Sequence, residues 1–175
     1  MEDELKSLKD NIWKTRKARI NAAERLNKNA LFIKFLNIYY SCAMIIINLI
    51  DITNQNYNLE ILLLSMSIVL TISIISFDSQ QYCERAERLK NCYISLQKLY
   101  YEINVENINE KREEYFELLG KTENHSEYDY YKVEINTEKI SLNKFLSYYF
   151  HTLIIFLIKI LVIMLPIIFL YTLFN

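Results

Sequence analysis

In LLGKTENHSEYDYY, residues 118 to 131, the chain brings side chains able to do chemistry closest together. Asn124, His125 and Asp129 are the types that acid–base work needs, an imidazole titrating near neutral pH and a carboxylate to orient it. The neighbouring sequence supplies no nucleophile, no metal-ligand cluster and no oxyanion donors. The expected role is therefore structural: an Asn-His pair after a helix end caps the next turn, with Thr122 or Asn124 as the capping residue. Gly120, Lys121 and Thr122 spell the end of a phosphate-binding loop, but that loop requires a glycine where Tyr115 stands. Cys42, Cys83 and Cys92 show neither CxxC nor Cys/His ligand spacing and are read as free thiols in a reducing compartment. The sequence assigns no enzyme activity, no metal and no cofactor.

The elements that must hold this stretch are helices. Gly120 and Pro166 are the chain's single glycine and proline, too little turn chemistry for a sandwich or barrel. Apolar blocks at 30–50, 59–77 and 153–174 have the length, about 20 residues, that crosses roughly 30 Å of hydrocarbon as a helix. They are apolar on every face, which core helices of soluble proteins rarely are. The opening MEDELKSLKD is polar and lacks a signal-peptide pattern, so an uncleaved amino terminus is expected. Lysines and arginines number eight in residues 1–29, ten in 78–147 and none in DITNQNYNLE between the first two blocks. That asymmetry places the amino terminus and the middle region in the cytoplasm.

The expected architecture is an all-α, multi-pass protein of the inner membrane, built on a long antiparallel helical hairpin that extends into the cytoplasm. Its parts are a basic amphipathic helix (1–29), a first span (30–50), an external loop (51–58), a second span (59–77), and a cytoplasmic heptad helix (78–104). A short helix with a polar, tyrosine-rich loop (105–146) and a carboxyl-terminal span (147–175) complete it. Tyr82, Ala86, Leu89, Tyr93, Leu96, Tyr100 and Ile103 recur at alternating spacings of four and three. Leu5, Leu8, Ile12, Thr15, Arg19, Ala22 and Leu26 repeat the pattern, weakened at Thr15 and Arg19. The seam packs within one chain or also builds an oligomer. Gly120 is expected just after the end of a helix formed by NINEKREEYFELL.

Lys14, Arg16, Lys17, Arg19 and Arg25 crowd the approach to the first span, where cations attract anionic lipid headgroups. An anionic ligand such as a nucleotide is the sharper alternative, because arginine's forked donors suit phosphate.

The order of these features resembles the SLATT family. KTRKARINAAERL leading into a span with YYS, then ERAERLKNCYISLQKLYYEI, then LLGKTENHSEYDYY carry the resemblance, with Asn124, His125, Asp129 and Tyr130 as its loop markers. The family comprises prokaryotic membrane effectors encoded beside nucleotide-producing enzymes, nucleotide-sensing domains or reverse transcriptases in defence systems. The resemblance implies two core spans, membrane disruption or pore formation that arrests an infected cell, and a separately encoded nucleotide-producing or nucleotide-sensing partner. The third block lies beyond that two-span core.

In the first span Lys34, Asn37, Ser41 and Asn48 fall within about 60° of one another at 100° per residue. Such a stripe avoids lipid, either joining helices within a bundle or lining a pore in a homo-oligomer. Lys159, about 9 Å inside the third block, either snorkels to the interface or faces a water-filled interior. Pro166 is expected to free a backbone carbonyl that needs a partner. The competing function is a membrane-anchored coiled-coil scaffold that recruits a sensor or enzyme without permeation. Membrane lipid is the expected contact, and no direct nucleic acid is expected.

Overall fold

The computed structural model describes residues 1–54, 57–76, 78–137 and 140–174, with side chains over 1–49, 61–76, 78–137, 140–168 and 171. Every regular element among them is an α-helix: α1 (Glu2–Asn54), α2 (Tyr57–Ser76), α3 (Ser79–Glu102), α4 (Ile108–Gly120), α5 (Glu127–Thr137) and α6 (Leu142–Phe174). Stretches in α1, in α2 with the residues following it, and in α6 are long and apolar enough to cross a membrane. The helices fall into two units, one of residues 1–28 and 81–151, the other of 29–80 and 152–175.

Several elements differ from the sequence expectation. Helix α1 reaches Asn54 and α2 begins at Tyr57, so only Gln55 and Asn56 of the expected external loop remain, and they lie outside the described residues. The second span and the heptad helix are separate elements, α2 and α3. Asp78 lies between them and caps α3, its Oδ1 accepting the Gln80 N–H at 2.8 Å; Phe77 lies outside the described residues. Part of the expected tyrosine-rich loop is helix α5, and α6 starts at Leu142 rather than 147.

In the first unit α1 and α3 pair along the two heptad stripes. Leu8, Ile12, Leu96 and Ile103 form one buried cluster, and Ala22, Leu26, Ala86 and Leu89 form another. Tyr82, Tyr93 and Tyr100 are half-buried at the seam's margin. Cys92 and Leu99, outside the stripe, are also buried, at 5% and 1% exposure, because α4 adds Ile108 and Tyr115 to the same cluster. The turn into α4 is closed by asparagine side chains: Asn104 Oδ1 accepts the N–H groups of Glu106 and Asn107. Asn107 Nδ2 donates to the Glu102 carbonyl at 3.1 Å. Asx turns of this kind let a chain with one glycine reverse direction.

In the second unit Met44 and Ile47 of α1 pack on Leu63 of α2, with Met66 and Leu70 beside them. Most other large apolar side chains there face outward, among them Ile45, Leu64, Val69 and Leu161, each exposed by 60% or more. Hydrocarbon solvates such a surface; water does not.

Gly120 is not a left-handed residue past the helix end. It is the last residue of α4, and Lys121 after it has φ −77° and ψ −14° while donating to the Glu117 carbonyl. A side chain at Gly120 would meet nothing within 4 Å. Gly120→Ala is therefore expected to raise stability by about 0.5–1 kcal/mol, since it removes backbone freedom from the unfolded chain. Thermal unfolding in detergent checks this, and a clear loss would restore the left-handed reading.

Candidate functional site

The two polar breaks in the α1 stripe mark where α4 docks. Thr15 Oγ1 and the Tyr115 hydroxyl are 2.9 Å apart. Arg19 is fully buried, and its Nη1 donates to the Leu118 carbonyl at 3.3 Å and Nη2 to the Leu119 carbonyl at 3.4 Å. Nη1 also contacts the Cys92 sulfur, which lies 3.7 Å from the Leu118 carbonyl. The last carbonyls of a helix have no partner within it and carry its negative dipole end, so a buried guanidinium serves them both as donor and as charge. This is how α4 ends without a left-handed glycine.

The marker loop folds onto the same face of α1. Ser126 precedes α5, and its hydroxyl accepts the Asp129 N–H at 3.3 Å while Asp129 Oδ2 accepts the Ser126 N–H at 3.0 Å. This reciprocal pair is a capping box. The cap of α5 is therefore Ser126, not Thr122 or Asn124; the Ser-x-x-Asp spacing was the available signal. Asp129 also takes two parallel bonds from Arg25, Nε to Oδ1 at 3.0 Å and Nη2 to Oδ2 at 2.8 Å. Asn21 donates to the Asp129 carbonyl at 3.0 Å. From α3, Arg85 clamps Glu123 through Nε and Nη2 at 2.8–3.0 Å.

Burial alone would raise the Asp129 carboxyl, but the bonds from Arg25 and Ser126 and the Arg25 charge outweigh it and hold the carboxyl below its ordinary range. With its oxygens held by Arg25 and Ser126, this carboxylate does not orient an imidazole. His125 instead stacks on Tyr130, ring centroids 5.9 Å apart at 24°, and its Nδ1 is buried without a hydrogen-bond partner. Burial first, then the Arg19 charge, push its pKa below the ordinary value, with Asp129 opposing. Asn124 is exposed. His125, Asp129 and Tyr130 thus come together, as a tertiary fastening.

The expected anion patch on α1 is divided. Arg19 and Arg25 are corrections to it, one buried beneath α4 and the other paired with Asp129, because the folded loop supplies them with acceptors. Lys14 pairs with Asp10 at 3.0 Å, Lys17 lies 5.8 Å from the Trp13 ring centroid, and Arg16 is half-buried.

In the span unit the stripe residues take different places. Lys34 and Asn48 are exposed, Asn37 and Ser41 half-buried. Ser41 donates to the Asn37 carbonyl at 2.7 Å and Asn48 to the Met44 carbonyl at 2.9 Å, both within α1. Ser65, Ser67, Thr71 and Ser73 likewise bond carbonyls of α2, as small polar residues on helices do. Two side-chain bonds between helices of this unit come from Tyr39 and Tyr40, which the sequence reading noted as part of the YYS marker but not as joining the spans. Tyr40 donates to the Val162 carbonyl at 2.6 Å, and Tyr39 to the Ile163 carbonyl at 3.0 Å. Lys159 takes a position neither expectation named: its ammonium lies 4.8 Å from the Phe32 ring centroid, a cation–π geometry.

Two outcomes follow for the first unit. Removing Asp129 leaves a buried cap and a guanidinium unpaired; because Arg25 is 41% exposed, Asp129→Ala is expected to cost about 2–3 kcal/mol, below a fully buried pair. Adding Arg25→Ala to it is expected to cost little more, which a double-mutant cycle in detergent would measure. His125 binds its proton less readily folded than unfolded, so its contribution is complete above about pH 6.5 and is lost as pH falls through the lower folded value. The melting temperature is expected to fall between about pH 7.5 and 5, and His125→Gln to flatten that slope; an unchanged slope would assign it elsewhere.

Among the described residues no cluster of His, Cys, Asp or Glu is placed to hold a metal. No curated protein and no solved structure matches the chain. The family described as SMODS and SLOG-associating 2TM effector domain family 5 matches residues 1–172. That match spans the buried α1–α3 pair, the Arg25–Asp129 fastening and all three candidate spans, and the chain belongs to this family of membrane effector domains.

Proposed function

We propose that the protein is a membrane effector of a prokaryotic antiviral defence system that assembles as a homo-oligomer and permeabilises the inner membrane when a separately encoded partner or nucleotide signal triggers it. The amino terminus and the unit of residues 1–28 and 81–151 lie in the cytoplasm in this reading, as the lysine and arginine distribution favours. One observation carries the permeation step. At 100° per residue, Phe32 and Tyr39, which meet α6, lie roughly opposite the Lys34–Asn37–Ser41–Asn48 stripe, and Tyr40, which also meets it, lies about 90° from the stripe's centre.

The stripe is thus not the face that α6 covers, and Lys34 and Asn48 stay exposed on it. Polar groups at membrane depth are costly against lipid and are suited to a water-filled space or to another copy. Three spans cannot enclose an aqueous path alone, so the reading requires several copies with their stripes around one axis. The arrested cell follows from loss of the ion gradients.

Purified protein in vesicles is expected to release a trapped dye, and to run in detergent as an oligomer. Asn37→Leu combined with Asn48→Leu is expected to remove most leakage and toxicity without loss of folding or insertion. If leakage and toxicity persist in that variant, the stripe does not line the path. A well-folded monomer or dimer that never leaks would favour the scaffold function.

A further inference from the structure

Pro166 lies inside α6. A proline has no N–H, so the carbonyl four residues earlier, that of Val162, loses its helical donor. In water that carbonyl would be hydrated; in hydrocarbon a bare carbonyl costs several kcal/mol. The Val162 carbonyl is the one that receives the Tyr40 hydroxyl, at 2.6 Å, and Tyr39 bonds the next carbonyl, Ile163, at 3.0 Å. The tyrosines are held in place by ring contacts along α1: Phe35 stacks on Tyr39 at 5.8 Å and 11°, and Tyr40 meets Tyr39 edge-on at 5.7 Å. Lys159 over Phe32 adds a third α1–α6 contact one turn earlier on α6. The contacts ascend together, 32 with 159 and 39–40 with 162–163, so α1 and α6 run parallel.

We infer that Tyr40 stands in for the amide hydrogen missing at Pro166, and that this substitution is a latch fixing the third span to the first. The latch is specific because, within the interior of α6, it is the proline that leaves a carbonyl without its helical donor. It is also releasable, since a single hydroxyl holds the carbonyl that a continuous helix would hold internally. Breaking it strands the Val162 carbonyl until water or a polar group of another copy reaches it. On the permeation reading above, that release is an opening step, and this part of the inference rests on that reading.

The experiment crosses Tyr40→Phe with Pro166→Ala, which restores an N–H four residues after Val162. In detergent, Tyr40→Phe alone is expected to lower the melting temperature by about 2–4 °C, the size of one interhelical hydrogen bond in a chain of this length. In the Pro166→Ala background the same substitution is expected to have little effect. Should Tyr40→Phe alone not accumulate, its recovery by Pro166→Ala is the same result. An equal loss in both backgrounds, or none in either, overturns the latch. Dye leakage from vesicles separates the two claims: Tyr40→Phe is expected to raise leakage and Pro166→Ala to suppress the rise. Melting temperatures that depend on the proline, with leakage that does not change, would leave the latch standing and overturn its role in opening.

Discussion

Backbone groups left without a helical partner constrain this protein more than any other single feature. A chain built almost wholly of helices, with one glycine and one proline, satisfies its amides and carbonyls internally except where a helix ends or is interrupted. Among the described residues several such places are met by a side chain. Asp78 takes an amide of α3, Ser126 and Asp129 take amides at the start of α5, Arg19 takes the last carbonyls of α4, and Tyr40 takes the carbonyl that Pro166 frees. Tertiary structure follows at two of them, because Arg19 and Tyr40 sit on a different helix from the carbonyls they serve.

The same requirement explains how charge is divided along α1. A basic helix near a membrane reads as a lipid-binding surface, yet one of its arginines is buried and another is engaged by the folded loop. Arg19 has no exposure, and a guanidinium suits that position because its fork reaches two adjacent carbonyls, which a lysine ammonium does not match. Arg25 matches the two oxygens of Asp129 for the same reason. Lys14 and Lys17, compact cations on flexible stems, remain with local partners on α1 itself.

The marker loop shows how residues suggestive of catalysis can hold a fold together. An imidazole, a carboxylate and a serine occur within five residues, and the carboxylate is engaged on both oxygens by Arg25 and Ser126. Burial and the nearby Arg19 charge push the His125 pKa below its ordinary value, and its ring packs on Tyr130. The outcome is a first unit whose loop reports on two helices at once, α1 through Arg25 and α3 through Arg85 binding Glu123.

The sequence by itself determined the helical class, the three apolar stretches, the α1–α3 seam and the family, because period, length and composition are local properties of the chain. Leu89, Leu96 and Ile103 were legible as core from spacing alone. It also announced an open carbonyl at Pro166, since the missing N–H is covalent. What spacing does not encode is which distant group supplies each partner. That Thr15 and Arg19, apparent flaws in a heptad, receive α4 depends on residues about 100 positions away. That Ser126 rather than Asn124 caps α5, that Lys159 meets Phe32, and that Tyr40 rather than an amide side chain joins the spans were decided only when the helices packed. A hydrogen bond needs its donor and acceptor within about 3 Å, and only the folded chain sets that distance.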